Sequence, residues 1–389
     1  MIPVKTALAG LLAALRSLCY CFGMRRWLLP TLMLLGLAAA QSLGNVAIVF
    51  SEGAKTDPTF NGVAYGAALR AVQQLGGRLF DFEPADPSQI PSAIRRFAAE
   101  RFDLIIGLGF ATEPGIAAAA REFREQRFAL IDTATEASNV ASYVFRENEG
   151  TYLVGYIAGR LSQTGVVGFV GGMDIPLIHK FEVGYREGVR RACPSCRVLV
   201  NYVGNTPAAF SDPAKAKEIA AAQKSQGADI IYAAAGASGL GVFDYVKQTR
   251  CLKASELPRG LRFRSNPFAS VPKYEAYTRE CAGETRPMFF IGGDGNLNFL
   301  GDTDNNPATL NHALTCMLKR VDVAAQRAVE SVARNTFQGG LISLGLKENG
   351  LGYALDSYNQ ALLPEALRRE VNAIRQAIIA GRITVPDRR

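Results

Sequence analysis

Three aspartates stand at or just after the ends of short apolar runs that are typical of β-strands: Asp132, Asp174 and Asp294. An ionised carboxylate can act as a general acid or base, or it can accept hydrogen bonds from two hydroxyl groups of a ligand. In an open parallel sheet the carboxyl ends of the strands form the edge where ligands bind. The sequence therefore predicts a polar site at strand ends, used either for catalysis or for ligand recognition.

Two phenylalanines occupy equivalent positions in the two halves of the chain. When the sequence is aligned with itself so that Phe60 falls on Phe181, residues 45–50 fall on residues 166–171. If each copy begins one lobe and the lobes face each other, the two rings could meet across a cleft and hold a flat ring between them. The alternative is that both are core residues on helix faces.

Strand-like and helix-like segments alternate along the chain after residue 45. This alternation predicts parallel sheets covered by helices on both faces, and the self-match divides them into two sheets. The predicted strands are residues 46–50, 78–82, 104–107, 128–132, 142–145, 166–170, 198–203, 230–233 and 289–292, and amphipathic stretches separate most of them.

Glycines accompany the aspartates at the predicted strand ends. They occur in Gly107-Leu-Gly-Phe110, in Ala234-Ala-Gly236 and beside Asp294. A glycine there allows a ligand to approach the backbone closely, although glycines also simply end strands. Their recurrence in both halves favours a ligand site.

Length and composition indicate a globular protein of two domains. The chain has 389 residues, of which 48% are hydrophobic and 20% are charged. The formal net charge is +8, but four of the positive charges lie within the first 40 residues. The rest of the sequence shows no long run of lysine and arginine with interleaved aromatic residues, which argues against nucleic-acid binding.

Residues 1–40 are predicted to be an export signal, with Met24 as the true start. Arg25 and Arg26 precede the apolar residues 27–37, and Ala38-Ala-Ala40 supplies a small-residue cleavage site. One long signal is the alternative. Because the apolar run is short for a bilayer span and no cysteine for lipid attachment follows it, we expect a soluble periplasmic protein that begins near Gln41.

The cysteines after the signal suggest two loop-closing disulfides. Cys193 and Cys196 have redox spacing but follow a predicted helix, whereas a redox motif sits at a helix N-terminus, so a structural bridge is expected. Cys251 and Cys281 bracket a Pro-, Arg- and Ser-rich segment that a second bridge could staple. Cys316 is left over, and we expect it to be buried.

Motifs of the common enzyme classes are absent from the sequence. The chain has only two histidines, and it contains no Gly-Lys pair of a phosphate loop, no H-E-x-x-H and no G-x-S-x-G. We therefore expect neither catalytic residues nor a metal or cofactor.

Several motifs resemble the basic membrane protein family of ABC-transporter substrate-binding proteins, which includes purine-nucleoside-binding lipoproteins. They run in family order from about residue 45 to 355. The motifs are Asp57-Pro-Thr-Phe-Asn61, Phe145-Arg-Glu-Asn-Glu-Gly-Thr-Tyr-Leu153, Gly168-Phe-Val-Gly-Gly-Met-Asp-Ile-Pro176, Phe181-Glu-Val-Gly184, Ser225-Gln-Gly-Ala-Asp229, Lys319-Arg-Val-Asp322 and Gly345-Leu-Lys-Glu-Asn-Gly350.

The resemblance implies a role for each of eight residues in ligand binding. Two aromatic rings would stack on a base, three polar groups would read polar edges of the ligand, and three groups would hold the ribose hydroxyls. In that order the residues are Phe60 and Phe181; Asp57, Asn61 and Asp132; and Gly236, Asp294 and Lys319.

The resemblance also implies a type I periplasmic-binding-protein fold, in which two doubly wound parallel-sheet lobes are joined by a hinge and enclose a ligand cleft. The N-terminal lobe would comprise residues 41–147 and about 307–345. The C-terminal lobe would comprise residues 148–306 and about 346–389, with an insertion at 251–286. The protein would be a monomer that captures a purine nucleoside and delivers it to the permease of an ABC importer.

The chain departs from the family pattern at three points. Asn296 and Leu297 stand where the family usually has an Asp and a Gln, the 251–286 segment is inserted, and the lipid-bearing cysteine is missing. Two other functions stay open at this point. One is a nucleoside hydrolase that uses the strand-end aspartates, and the other is a ligand-sensing input for a receptor.

Overall fold

The computed structural model describes residues 43–389 and contains two six-stranded sheets. Most of the segments predicted to be strands form buried runs, because helices cover both faces of each sheet, whereas the edge strands Arg78–Phe82 and Arg197–Gly204 are only partly buried. Up to the first crossing between the sheets the elements are β1 (Asn45–Phe50), α1 (Phe60–Gln74), β2 (Arg78–Phe82), α2 (Ile90–Ala99), β3 (Leu104–Leu108), α3 (Glu113–Glu122), β4 (Phe128–Ile131) and β5 (Val140–Phe145).

The remaining elements begin with a helix that leads into the second sheet. They are α4 (Glu147–Leu161), β6 (Val166–Met173), α5 (Pro176–Ala192), β7 (Arg197–Gly204), α6 (Pro213–Ser225), β8 (Ile230–Ala234), α7 (Gly239–Thr249), β9 (Cys251–Lys253), α8 (Glu275–Glu280), β10 (Thr285–Pro287), β11 (Phe289–Asp294), β12 (Ala313–Lys319), α9 (Val321–Ala333), β13 (Gly340–Leu344), β14 (Leu351–Tyr353) and α10 (Glu365–Ile379).

The two sheets have the doubly wound order that the alternating pattern predicts. The first has the order β13-β5-β4-β3-β1-β2 with every pair parallel, and the second has the order β14-β12-β11-β8-β6-β7 with β14 alone antiparallel. Each order reverses direction beside its first strand, β1 or β6, so each sheet has a switch point where its strand ends open a crevice. The predicted fold class is confirmed, and the nine predicted strands all occur.

The chain crosses between the lobes at three places. It leaves the first sheet after β5, returns after β12, and leaves it again after β13. The expected return to the first lobe at about residue 307 is wrong, because β12 pairs with β11 in the second sheet and the crossing comes only after Lys319. The strand escaped prediction because its apolar run, Ala313 to Leu318, has no glycine or proline to mark its ends.

Charged side chains tie the first and third crossings together. Arg146 lies 2.6 Å from Glu149 and 2.5 Å from Glu348, and Glu149 also accepts the backbone N–H of Leu346 at 2.8 Å. These contacts join the chain that follows β5 to the chain that follows β13. They therefore hold the two crossings side by side.

The 251–286 insertion is a packed part of the second lobe. Its ends pair as the antiparallel strands β9 and β10, and the Cys251–Cys281 bridge closes it. Phe268 and Tyr277 are buried in the core of the lobe, and the Tyr274 hydroxyl lies 2.6 Å from the Nε2 atom of buried His312. The insertion therefore adds core as well as surface.

Cys193 pairs with Cys196 and Cys316 is free and buried, as predicted. The predicted export signal lies outside the described residues. Among residues 43–389, no helix is both long and apolar enough to cross a membrane.

These positions predict the reactivity of the five cysteines from Cys193 onward. Alkylation under denaturing, non-reducing conditions should label Cys316 alone among them. The folded protein should leave Cys316 unlabelled, because its thiol is fully buried and burial raises its pKa to about 12. Peptide mass spectrometry reads both results, and label on any of the other four cysteines without a reductant would contradict the pairing.

Candidate functional site

A cavity lies between the facing carboxyl edges of the two sheets, and all eight residues selected from the sequence line it. It contains about 650 Å³ of space that protein atoms do not fill, part of it open to solvent. The lining residues are Glu52, Gly53, Asp57, Phe60, Asn61, Gly109, Phe110, Asp132, Leu177, Ile178, Phe181, Phe210, Ser211, Ala234, Gly236, Ala237, Asp294 and Lys319. Asp174 is absent from this lining.

The ammonium group of Lys319 is the electrostatic centre of the cavity. Lys319 ends β12 in the second lobe and is 1% exposed. Its Nζ atom forms an ion pair with Asp132 of the first lobe and lies 3.1 Å from Glu147 at the start of α4. The single cation therefore bridges both lobes at the hinge.

Three aromatic rings surround the same ammonium group. Its Nζ atom lies 5.6 Å from the ring centre of Phe60 and 5.1 Å from those of Phe145 and Phe181. Attraction to ring faces adds to the ion pairs in a site that excludes water. Burial by itself disfavours the charged amine, but Asp132, Glu147 and Asp294 outweigh it and raise the pKa of Lys319, so the lysine stays protonated.

Asp132 and Asp294 follow or end strands in the two lobes and share an uncommon backbone conformation. Their φ angles are 83° and 66°, in the left-handed region that aspartate tolerates better than most residues. Burial raises the pKa of Asp132 to about 7 and that of Asp294 to about 6, and in both cases Lys319 acts in the opposite direction. The left-handed turn places each residue among the side chains that line the cavity.

Glu52 is a cavity residue that the sequence reasoning missed. Burial, followed by the negative charges of Asp132 and Asp57, raises its pKa to about 8, so the acid is protonated at neutral pH. Its Oε2 atom is buried without a hydrogen-bond partner. A neutral carboxylic acid can donate one hydrogen bond and accept another. Its position just after β1, like that of Asp132 after β4, was the available signal.

Asp57 and Asn61 shape the first-lobe wall as well as lining it. The Asp57 carboxylate accepts the backbone N–H groups of Thr59 at 2.7 Å and Asn61 at 3.0 Å, at the start of α1. The Asn61 amide donates to the backbone oxygen of Glu52 at 2.7 Å. Both side chains therefore hold the loop between β1 and α1 and orient Glu52.

One pair of aromatic rings, one from each lobe, meets across the cleft. The ring centres of Phe110, after β3, and Phe210, after β7, lie 6.1 Å apart with their planes tilted by 56°. Phe110 belonged to a strand-end motif that the sequence singled out, whereas Phe210 lies in a short 3₁₀ turn without any such signal. The cleft is thus lined by aromatic side chains from both lobes.

Gly236 has a backbone conformation that suits glycine. Its φ is +54°, and a Cβ atom there would lie 3.4–3.6 Å from Phe210. The absence of a side chain leaves room beside Phe210 and exposes backbone to the cavity.

The cavity offers carboxylates, backbone groups and aromatic faces, with one buried cation. Both histidines are absent from its lining, and no group of three or more His, Cys, Asp or Glu in residues 43–389 is placed to hold a metal ion. This arrangement suits recognition of a flat molecule that carries hydroxyl groups.

The raised pKa values of Glu52 and Asp132 predict that stability falls with rising pH. A carboxyl group with a raised pKa stabilises the fold fully below its ordinary pKa, and this contribution is lost as pH rises through about 7 and about 8. Between about pH 6.5 and 8.5 the melting temperature of the ligand-free protein should fall by roughly a few degrees. His312, whose pKa burial lowers from 6.5 to about 4, acts in the opposite direction, and only at the lower edge of this window.

The matched pair for this test is Glu52→Gln and Glu100→Gln, since Glu100 is exposed. Calorimetric scans should show a flatter pH dependence for Glu52→Gln alone. A wild-type slope in that variant would contradict the assignment.

With this geometry established, comparison with known proteins gives a consistent result. Residues 45–252 match the family model of the PnrA-like ABC transporter substrate-binding proteins. A nucleoside-binding ABC transporter protein, BmpA of Lactococcus lactis, is 28% identical over 74% of this chain and 72% of its own. An uncharacterized lipoprotein of Pyrococcus abyssi is 30% identical over 79% of this chain and 68% of its own.

A solved structure agrees with the sequence relatives. The solute-binding protein of an ABC transporter system from Aeropyrum pernix superposes with a TM-score of 0.71 at 28% identity, over 88% of this chain and 93% of that one. Proteins of this kind bind substrates and do not transform them, which confirms the prediction that the chain is not an enzyme. The chain belongs to the PnrA-like, or basic membrane protein, family of ABC transporter substrate-binding proteins.

Proposed function

We propose that this protein captures a purine nucleoside outside the cytoplasm and delivers it to the permease of an ABC importer. The observation that carries the proposal is the Lys319 cluster, which places a cation and carboxylates from both lobes beside the rings of Phe60 and Phe181. Such a site can hold a sugar and a flat base together. The nucleoside-binding relative in Lactococcus lactis supports the same ligand class.

The sugar end of the ligand is assigned to Asp294, Lys319 and Gly236. Asp294 can accept hydrogen bonds from two ribose hydroxyls, and Lys319 keeps a positive charge beside it. Gly236 follows β8, the strand next to β11 in the second sheet, and leaves backbone open to the cavity. Two of the sugar hydroxyl groups would then be bound between a charged acceptor and open backbone.

The base of the nucleoside is assigned to the rings of Phe60 and Phe181 and to the polar side chains of the first lobe. Phe60 and Phe181 offer ring faces for stacking. Glu52, Asn61 and Asp132 present a neutral acid, an amide and a carboxylate to the polar edges of the base. A purine, which carries both donors and acceptors on its edge, matches this set.

The charge balance of the lining favours a neutral ligand. Among the cavity residues Lys319 is the only cation, and four acidic side chains line the same space: Glu52, Asp57, Asp132 and Asp294. A phosphate group would face repulsion from the ionised acids, and Lys319 is already paired with Asp132 and Glu147. We therefore expect nucleosides to bind far more tightly than the corresponding nucleotides.

Variants of Asp294 and Phe60 test the two ends of the ligand separately. Asp294→Asn should weaken binding of guanosine, inosine and adenosine by about 1.5 to 3 kcal/mol and leave hypoxanthine nearly unaffected, because it removes a charged acceptor from the hydroxyls. Phe60→Ala should weaken ribosides and the free base alike, since each loses stacking worth about 0.5 to 1.5 kcal/mol beyond burial. Isothermal titration of ligand-stripped protein gives the affinities.

Matched controls separate these effects from general damage. Asp302→Asn changes an aspartate of the second lobe that lines a separate surface pocket. Phe80→Ala removes a first-lobe phenylalanine that is 39% exposed. Both variants should bind the ligands as wild type does. The nucleosides should also be recovered intact after incubation. Failure of wild type to bind any of the four compounds would reject the nucleoside assignment, and unchanged riboside affinity in Asp294→Asn would reject the sugar site.

A further inference from the structure

The disulfide-closed insertion contains three arginines within a stretch of six residues. Arg259, Arg262 and Arg264 are exposed, whereas Leu261 and Phe263 between them are half-buried. Residues 261–266 form neither helix nor strand. This alternation turns the apolar side chains toward the lobe and leaves the three arginines in solvent.

The segment is fixed to the second lobe at several points. Leu261 packs over Gly227, where a Cβ atom would come within 2.2 Å of its side chain. The ring of Phe263 carries the guanidinium of Arg286 at 4.7 Å. Arg264 donates its backbone N–H to the oxygen of Gln163 at 2.6 Å. The three arginines are therefore held on a fixed backbone.

These arginines have no acidic partner in the described part of the chain. No carboxylate lies within 4 Å of any of the three guanidinium groups. The one acid close by in sequence, Glu256, pairs with Lys224 at 2.5 Å. Arg264 contacts the Ser195 hydroxyl at 3.3 Å, next to the Cys193–Cys196 bridge, so its charge is unneutralised.

The fold adds a fourth arginine that the sequence does not place there. Arg197 begins β7 one residue after Cys196, is exposed, and donates to the backbone oxygen of Gln226 at 3.3 Å. We call the surface formed by these four residues the arginine patch: Arg259, Arg262, Arg264 and Arg197. They lie by the amino ends of β6, β7 and β8, at the pole of the second lobe opposite the ligand cleft.

We propose that the arginine patch binds the anionic phospholipid headgroups of a membrane surface. Guanidinium groups pair well with phosphate oxygens, and clusters of basic side chains draw a protein to an anionic bilayer. A protein partner would be expected to meet an apolar core in its interface, but none of the exposed large hydrophobic residues, Phe80, Phe299, Leu341 and Leu355, belongs to this segment. The surface thus offers charge without an apolar anchor, which suits reversible attachment to headgroups.

Vesicle co-sedimentation of the full chain tests this assignment. Vesicles containing phosphatidylglycerol should bind the protein at low salt, and vesicles of phosphatidylcholine alone should not. Raising the salt concentration should release the protein, because the attraction is screened. The variant Arg259→Gln/Arg262→Gln/Arg264→Gln should lower the partition coefficient roughly 100-fold, since each basic side chain contributes about tenfold or less.

A first-lobe variant of equal charge loss is the matched control. Arg70→Gln/Arg121→Gln/Arg124→Gln removes three exposed arginines and should retain most of the binding. Equal losses in the two variants would show that net charge alone attracts the protein and would overturn the proposal. So would absence of binding to phosphatidylglycerol, or binding by wild type to heparin without binding to vesicles. Both variants should titrate a nucleoside as wild type does, so this result is independent of the ligand assignment.

Discussion

The two-lobe arrangement depends on the ion pairs of the buried Lys319 ammonium group. A charge removed from water is costly unless it is paired, and the pairs here come from different parts of the fold. Asp132 belongs to the first lobe, Glu147 starts the first helix beyond a crossing, and Lys319 ends the last strand before the chain returns. Because the same cation serves all of them, the hinge and the cavity floor are one electrostatic unit.

This unit explains why the cavity can keep several acids close together. Burial raises the pKa of Asp132 to about 7 and that of Asp294 to about 6, and the positive charge of Lys319 opposes both shifts. Burial and the negative charges of Asp132 and Asp57 raise the pKa of Glu52 to about 8. The site therefore contains both ionised and neutral acids near neutral pH, and it can both accept and donate hydrogen bonds.

Two of the seven non-glycine residues with positive φ in residues 43–389 line the cavity. Asp132 and Asp294 both have positive φ, a conformation that costs a non-glycine residue on the order of 1 kcal/mol or more. Each stands at the carboxyl edge of its own sheet, where the strand ends and the chain turns. A turn with this backbone conformation usually contains glycine. We interpret the strain as the consequence of directing a carboxylate into the cleft from the end of a strand.

The local sequence was sufficient to determine the fold class and to select residues that line the cavity. Apolar runs separated by amphipathic stretches specify parallel strands and covering helices, and residues at strand ends must gather at one edge, so Asp132, Gly236 and Asp294 could be selected in advance. The self-match of the chain added Phe60 and Phe181, and the family motifs added Asp57, Asn61 and Lys319. Short or unmarked elements such as β12 could not be recognised, because their identity depends on which sheet offers them a partner.

Other features were decided by tertiary structure alone. The approach of Phe110 to Phe210 arises only when the two lobes face each other, since the two rings belong to different lobes. The arginine patch likewise joins Arg197 to three arginines more than 60 residues away, through the contact of Arg264 with Ser195. The sequence by itself determined which side chains stand at strand ends. The tertiary structure determined which of them share a dry, charged environment, because burial and electrostatic coupling depend on distances in space.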